Sequence, residues 1–107
     1  MKDSDLNYIA GFFDGEGCIS IHRRKAHHSP VVSCRIGQKD PTILYYIQEA
    51  LGMGNVYARQ QKGSTFYSLV IYRKSDMSRF IRLIYPHVRG PQKRKKLREA
   101  HRILKAK

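Results

Sequence analysis

Residues 9–17 read Ile9-Ala10-Gly11-Phe12-Phe13-Asp14-Gly15-Glu16-Gly17, and two features of this stretch need a physical reason. Leu6, Ile9, Ala10 and Phe13 follow the i, i+3, i+4, i+7 spacing of an amphipathic helix over residues 5–14. Gly15 and Gly17 are expected to stop that helix. Yet Gly11 and Gly15 stand one turn apart in or beside it, where a glycine costs about 1 kcal/mol against alanine. Small residues at that spacing let a second backbone approach closely. Asp14 and Glu16 fall at the helix C-terminus, where the macrodipole is negative and favours cations. Two carboxylates there repel the dipole and each other. A divalent metal would relieve both repulsions, because hard cations take carboxylate and backbone carbonyl oxygens. The ordinary alternative is a pair of glycine caps beside two solvated acids.

Beyond this segment the hydrophobic period changes. Residues 18–25 alternate, with Ile19 and Ile21 on one face and Ser20, His22 and Arg24 on the other. After a polar turn at His27-His28-Ser29-Pro30, residues 31–37 alternate again: Val32, Cys34 and Ile36 oppose Val31, Ser33, Arg35 and Gly37. Asp40-Pro41 predicts a capped helix start, Ile43, Leu44, Ile47 and Leu51 give that helix its stripe, and Gly52 ends it. Strands are expected at about 55–61 and 65–73, joined around Lys62-Gly63-Ser64. The second is apolar on both faces, so its inward face stays ambiguous. Ser75 or Asp76 could cap a third helix carrying Met77, Phe80, Ile81 and Ile84, which Pro86 stops. A basic helix follows Gly90-Pro91, with Leu97, Ala100 and Leu104 aligned.

The expected fold class is therefore α+β, in the order αββαββα. Two hairpins and their helices suggest one four-stranded antiparallel sheet with helices on one face and the other face open. Residues 1–90 would form one domain, with 91–107 as its basic helical tail. The open face would carry His22, Arg24, Ser33, Arg35, Tyr57, Arg59 and Gln61.

Charge narrows the partner. Lys and Arg total 21 against 8 Asp and Glu, a formal charge of +13 on 107 residues. That excess points to DNA, RNA or an anionic membrane surface. No apolar run is long enough to span a bilayer, and the charged start lacks a signal-peptide core. Cys18 and Cys34 fit neither a disulfide scaffold nor a zinc cluster, and reduced thiols in an intracellular compartment are the expected reading. They are read as buried small residues on facing strands. His22, His27 and His28 match no closed zinc site.

The Ile9–Gly17 segment resembles the LAGLIDADG motif of homing endonucleases and their relatives, and the element order agrees over roughly residues 5–86. The resemblance implies that motif helices of two subunits pack side by side. One motif copy then implies a homodimer, with Gly11 and Gly15 allowing the contact and Tyr8 and Phe12 on the same interface. It places the last acid, Glu16, and the Gly15 carbonyl as ligands for divalent metal, Mg²⁺ or Mn²⁺. Asp14 matches the first acid, with a structural role. Gln38 matches a glutamine that helps arrange the attacking water. The family's usual lysine after the third helix is missing: Pro91 falls near its place, and Lys93 is the nearest lysine, carried over as the third catalytic residue.

In such a fold the hairpins form a saddle over the DNA major groove. Arg24, Arg35 and Arg59 could then pair with guanine and Gln61 with adenine, while Ser20, Ser33, His22 and Tyr57 meet bases or backbone. The segment 89–107 carries nine basic residues against one acid, Glu99, and is expected to touch phosphates without reading sequence. The implied activity is metal-dependent, site-specific cleavage of double-stranded DNA by a homodimer at a near-palindromic site. Its rival is a protein of the same fold that binds without cutting, as a regulator or an RNA-splicing maturase. An anionic-membrane or ribosome-surface binder would explain the charge but not the glycine-acid helix end.

Overall fold

The computed structural model describes residues 2–22 and 30–105. Helix α1 spans Asp3–Glu16 and runs straight into strand β1, Gly17–His22. Asp3 and Asp5 sit in its first turn, where the dipole favours acids. Leu6, Ile9, Ala10 and Phe13 are its buried residues, as the apolar spacing requires. The helix does not stop at Asp14. Gly15 lies inside it, and Gly17 ends it in an extended rather than left-handed conformation. Gly17 is a close-approach glycine: a Cβ there would lie 2.4 Å from Cδ1 of Phe13. A side chain at 17 would therefore displace the ring that anchors α1 in the core.

Strand β2 covers Val31–Gln38, α2 Pro41–Leu51, β3 Asn55–Gln61 and β4 Ser64–Ile71. Helix α2 has the expected ends. Asp40 accepts a hydrogen bond from the Thr42 N–H at 2.9 Å, Pro41 opens the first turn, and Gly52 closes the helix at φ 69°. The bond from Thr42 holds the Asp40 carboxyl below its ordinary value. Helix α3, Lys74–Ile84, starts earlier than the Ser75 or Asp76 cap would place it. The Arg73 carbonyl already accepts the Met77 N–H at 2.8 Å, so Arg73 occupies the cap position and offers no side-chain cap bond. Pro86 lies in a short 3-10 turn, Tyr85–His87, and α4 runs Pro91–Lys105.

The strands form one antiparallel sheet in the order β1-β2-β4-β3. Its register settles the ambiguous strand. Leu69 and Ile71 pair with Ile36 and Cys34 on the covered face, so Phe66, Ser68 and Val70 point to the open one. The core joins Ile19, Val32, Cys34 and Ile36 from the sheet to Phe13, Leu44, Ile47, Phe80 and Ile84 from the helices. Phe13 and Phe80 meet edge to face at 5.5 Å between ring centroids. Leu97 and Ala100 of α4 are fully buried in the same core.

Candidate nucleic-acid interface

Strand register assembles the open face. Ser20 pairs with Ser33, His22 with Val31, and Cys18 with Arg35 across β1 and β2. Arg35 in turn meets Val70, while Tyr57, Arg59 and Gln61 of β3 pair with Ser68, Phe66 and Ser64 of β4. Ser20, His22, Ser33, Arg35, Tyr57, Arg59 and Gln61 thus share one face. Arg24, with His27 and His28, lies outside the described residues.

A cleft of about 380 Å³ opens on that face, lined by Glu16, Cys18, Arg35, Gly37, Arg59, Gln61, Phe66 and Ser68. A second of about 330 Å³ adjoins it through Arg35 and Arg59 and reaches Tyr57. Glu16 enters this cleft because α1 ends where β1 begins, so its last residue stands at the edge of the sheet. The carboxylate is exposed and makes no ion pair with any described residue.

Three cleft residues escaped the sequence reading. Cys18 is exposed, contrary to its expected burial, because it shares the parity of Ser20 and His22 rather than that of Ile19. Cys34 is buried as expected, and burial pushes its thiol far above the ordinary range. Phe66 and Ser68 belong to the doubly apolar strand. The available signal was Gly37, across the sheet from β4: a Cβ at 37 would lie 2.7 Å from Cε1 of Phe66, so the ring needs that glycine.

The two acids at the end of α1 have parted company. The Asp14 carboxylate turns inward and accepts the Gly90 N–H at 2.8 Å, at the N-terminus of α4, where negative charge is favoured. Lys93 donates from Nζ to the Asp14 carbonyl at 3.0 Å and stands 5.7 Å from the Phe13 ring centroid. One cation and one opposing helix end thereby relieve the repulsion at Asp14. Glu16 receives no such help from the described residues. Gln38 pairs with Tyr67 on the parity of Ile36, toward the covered side, and its Oε1 accepts the Lys39 N–H at 3.0 Å. Neither Gln38 nor Lys93 lines the cleft.

Among the described residues no three or more His, Cys, Asp or Glu side chains converge. The donors on offer at the end of α1 are the Glu16 carboxylate and the Gly15 carbonyl. Both are hard oxygens, which suit Mg²⁺ or Mn²⁺ better than a soft, thiophilic ion. The outer face of α1 is bare: Tyr8 is 47% exposed, Phe12 is half-buried, and a Cβ at Gly11 or Gly15 would meet nothing within 4 Å.

Comparison with known proteins places this arrangement. A probable intron-encoded endonuclease, Cox1-I1b of Schizosaccharomyces pombe, is 30% identical over an alignment of 73 residues that covers 64% of this chain and 19% of that protein. The homing endonuclease I-CvuI, solved in complex with its target, superposes with a TM-score of 0.78 at 24% identity, over 95% of this chain and 66% of its own. I-GzeII, solved in complex with a DNA target, gives 0.82 at 20% identity, over 98% of this chain and 37% of its own. I-CeuI, complexed with DNA, gives 0.81 at 17%, over 96% and 55%. At these identities the solved structures establish the fold, and this chain spans only part of each of these relatives. The model of the LAGLIDADG endonuclease family matches residues 9–97, from the motif helix through both hairpins to the buried Leu97 of α4, and the chain belongs to that family.

Proposed function

We propose that this chain is a site-specific endonuclease of double-stranded DNA, acting as a homodimer on a near-palindromic site with Mg²⁺ or Mn²⁺. One observation carries the reading: the exposed Glu16 shares its cleft with Arg35 and Arg59, at the end of a helix whose outer face is glycine-bare.

Two copies of α1 can pack through Gly11 and Gly15, with Tyr8 and Phe12 flanking the seam. The twofold axis then brings two Glu16 carboxylates beneath one duplex, one for each strand. Arg35 and Arg59 draw the phosphates over the sheet, and with Tyr57, Gln61, Ser20, Ser33, His22 and Arg24 they read the groove. Glu16 and the Gly15 carbonyl would hold the divalent ion. When bound, that ion makes water a stronger nucleophile and stabilises the leaving oxygen of a phosphodiester. Lys93 acts as a positioning residue, since it ties the end of α1 to α4 and so fixes the residue two places beyond Asp14. Gln38 stands one residue past Gly37 of the cleft, on the covered parity, and its assignment to the attacking water rests on the family resemblance alone.

Cleavage of a randomised duplex library with Mg²⁺ tests this reading. Wild type is expected to cut, and Glu16→Gln to cut at least about a hundredfold more slowly, since even outer-shell partners of a metal cost 10–100-fold. Equal cutting by both would remove Glu16 from the reaction. Sequence-selective retention of DNA without nicking, in Mg²⁺ and Mn²⁺ alike, would favour a non-cleaving regulator. Tighter binding to intron RNA than to duplex DNA would favour a maturase. That rival draws on one observation, the engagement of Lys93 at the Asp14 carbonyl rather than in the cleft. No helix among the described residues is long and apolar enough to cross a membrane.

A further inference from the structure

On the helical side of the sheet, away from the open face, α3, the 3-10 turn and α4 enclose a groove of about 350 Å³. Ile81, Tyr85 and Pro86 give it apolar walls, and Arg82, Arg98 and His101 complete them. Its aromatic wall is held in place. Arg98 donates to the Tyr85 hydroxyl at 3.0 Å, the Arg94 guanidinium stands 4.2 Å from the Tyr85 ring centroid, and Arg94 also donates to the Tyr85 and Val88 carbonyls. The Nδ1 atom of His101 has no hydrogen-bond partner among the described residues and is buried behind the groove's surface rather than open to it.

Beside the groove runs a line of charge. Lys95, Arg98, Arg102 and Lys105 are all exposed and recur at spacings of 3, 4 and 3, which puts them on the side of α4 turned away from Leu97 and Ala100. They span about 15 Å of helix. Every Asp and Glu side chain of the protein falls within the described residues, and none pairs with these four; the one ion pair on α4 joins Lys96 to Glu99 at 3.8 Å.

We infer that the groove and the stripe form a second nucleic-acid surface, which takes a single strand: one unstacked base in the groove and its neighbouring phosphates along α4. The occupant follows from the chemistry. An apolar slot walled by Ile81, Pro86 and the Tyr85 ring, with Arg82 and Arg98 beside them, takes a planar heterocycle that can stack on the ring while its phosphate meets the cations. A row of cations with no acidic partner among the described residues, Arg98 being engaged at the Tyr85 hydroxyl, matches a row of phosphates. A duplex cannot use the slot, because its bases are stacked and paired inside. This surface is independent of the cleavage reading, since none of its residues lines the cleft at Glu16.

Fluorescence anisotropy with a labelled single strand of about a dozen uridylates, its thymidylate counterpart and a short duplex tests the inference. The stripe variant Arg102→Glu/Lys105→Glu changes exposed positions only. It is expected to weaken single-strand binding by at least about fivefold more than duplex binding, which also falls because the basic segment 89–107 is expected to touch duplex phosphates and the reversal lowers the overall positive charge. Photocrosslinking of the wild-type protein to the same strands should map to Tyr85 or His101. Binding of either sugar supports the inference, and the difference between them tells whether the 2′-hydroxyl is read. It would be overturned by an equal fall in single-strand and duplex binding, by no binding of either single strand, by crosslinks at Tyr57 or Phe66 of the sheet, or by displacement with poly-aspartate at equal charge concentration. A failure of DNA cleavage leaves all these readouts unchanged, so the two proposals fail separately.

Discussion

Helix α1 has two faces that differ in how far the chain completes them. The inner face, Leu6, Ile9, Ala10 and Phe13, is sealed against the sheet and α3, and three of its four side chains have no exposure at all. The outer face, Tyr8, Gly11, Phe12 and Gly15, offers aromatic surface and two glycines to solvent. Tyr8 stacks with Phe12 at 6.4 Å and meets Tyr46 edge-on at 5.9 Å, so even these rings are arranged against each other rather than buried. The inner face explains why the helix forms. Nothing in one subunit explains why the outer face carries glycines that weaken it. The contrast teaches that half of this helix is specified by the fold and half by something the fold does not contain, which we assign to a second copy.

Changes on the two faces should therefore fail differently. The largest effect is expected inside: Phe13→Ala removes a fully buried ring that touches Phe80 and should cost about 3–5 kcal/mol. That is much of the total stability of a small domain, so the urea midpoint should collapse and activity and dimerisation should vanish together. Gly11→Leu is the matching change outside. It meets nothing in the subunit and replaces a helix-weakening glycine, so the monomer should unfold at a slightly higher temperature, gaining up to about 1 kcal/mol. The dimer constant in sedimentation should weaken by about a hundredfold, roughly 2.7 kcal/mol. An unchanged dimer would place the interface elsewhere. Between the faces lies Asp14. Asp14→Ala leaves the Gly90 N–H without its carboxylate and should cost about 1 kcal/mol in denaturant unfolding, with dimerisation retained. A loss of dimer on this change would mean that the tie to α4 and the outer face are one unit.

Much of this contrast was legible in the sequence. The apolar spacing of Leu6, Ile9, Ala10 and Phe13 gave the buried stripe, and the alternation at Ile19–His22 and Val31–Gly37 gave sheet parity. The Asp40-Pro41 start and Gly52 stop bounded α2, because caps and left-handed glycines act through local backbone chemistry. What the sequence hid depends on contacts across the chain. Gly15 and Gly17 looked alike as helix stops, yet one lies inside the helix and the other makes room for Phe13. β4 is apolar on both faces, so only its pairing with β2 could turn Phe66 outward. Cys18 took an apolar reading from composition when its parity already placed it with Ser20. The relief of Asp14 by Gly90 and Lys93 joins residues more than seventy positions apart, and no local pattern announces it.

The central claim is that two α1 helices, joined by their bare faces, hold one Glu16 for each DNA strand. The most direct test is a mixed dimer, one wild-type subunit with one Glu16→Gln subunit, isolated by two different affinity tags and given a cleavable duplex with Mg²⁺. The account expects nicks in one strand only, at a rate close to that of wild type on that strand. Double-strand breaks at the wild-type rate would contradict it, because a single carboxylate would then serve both strands or neither.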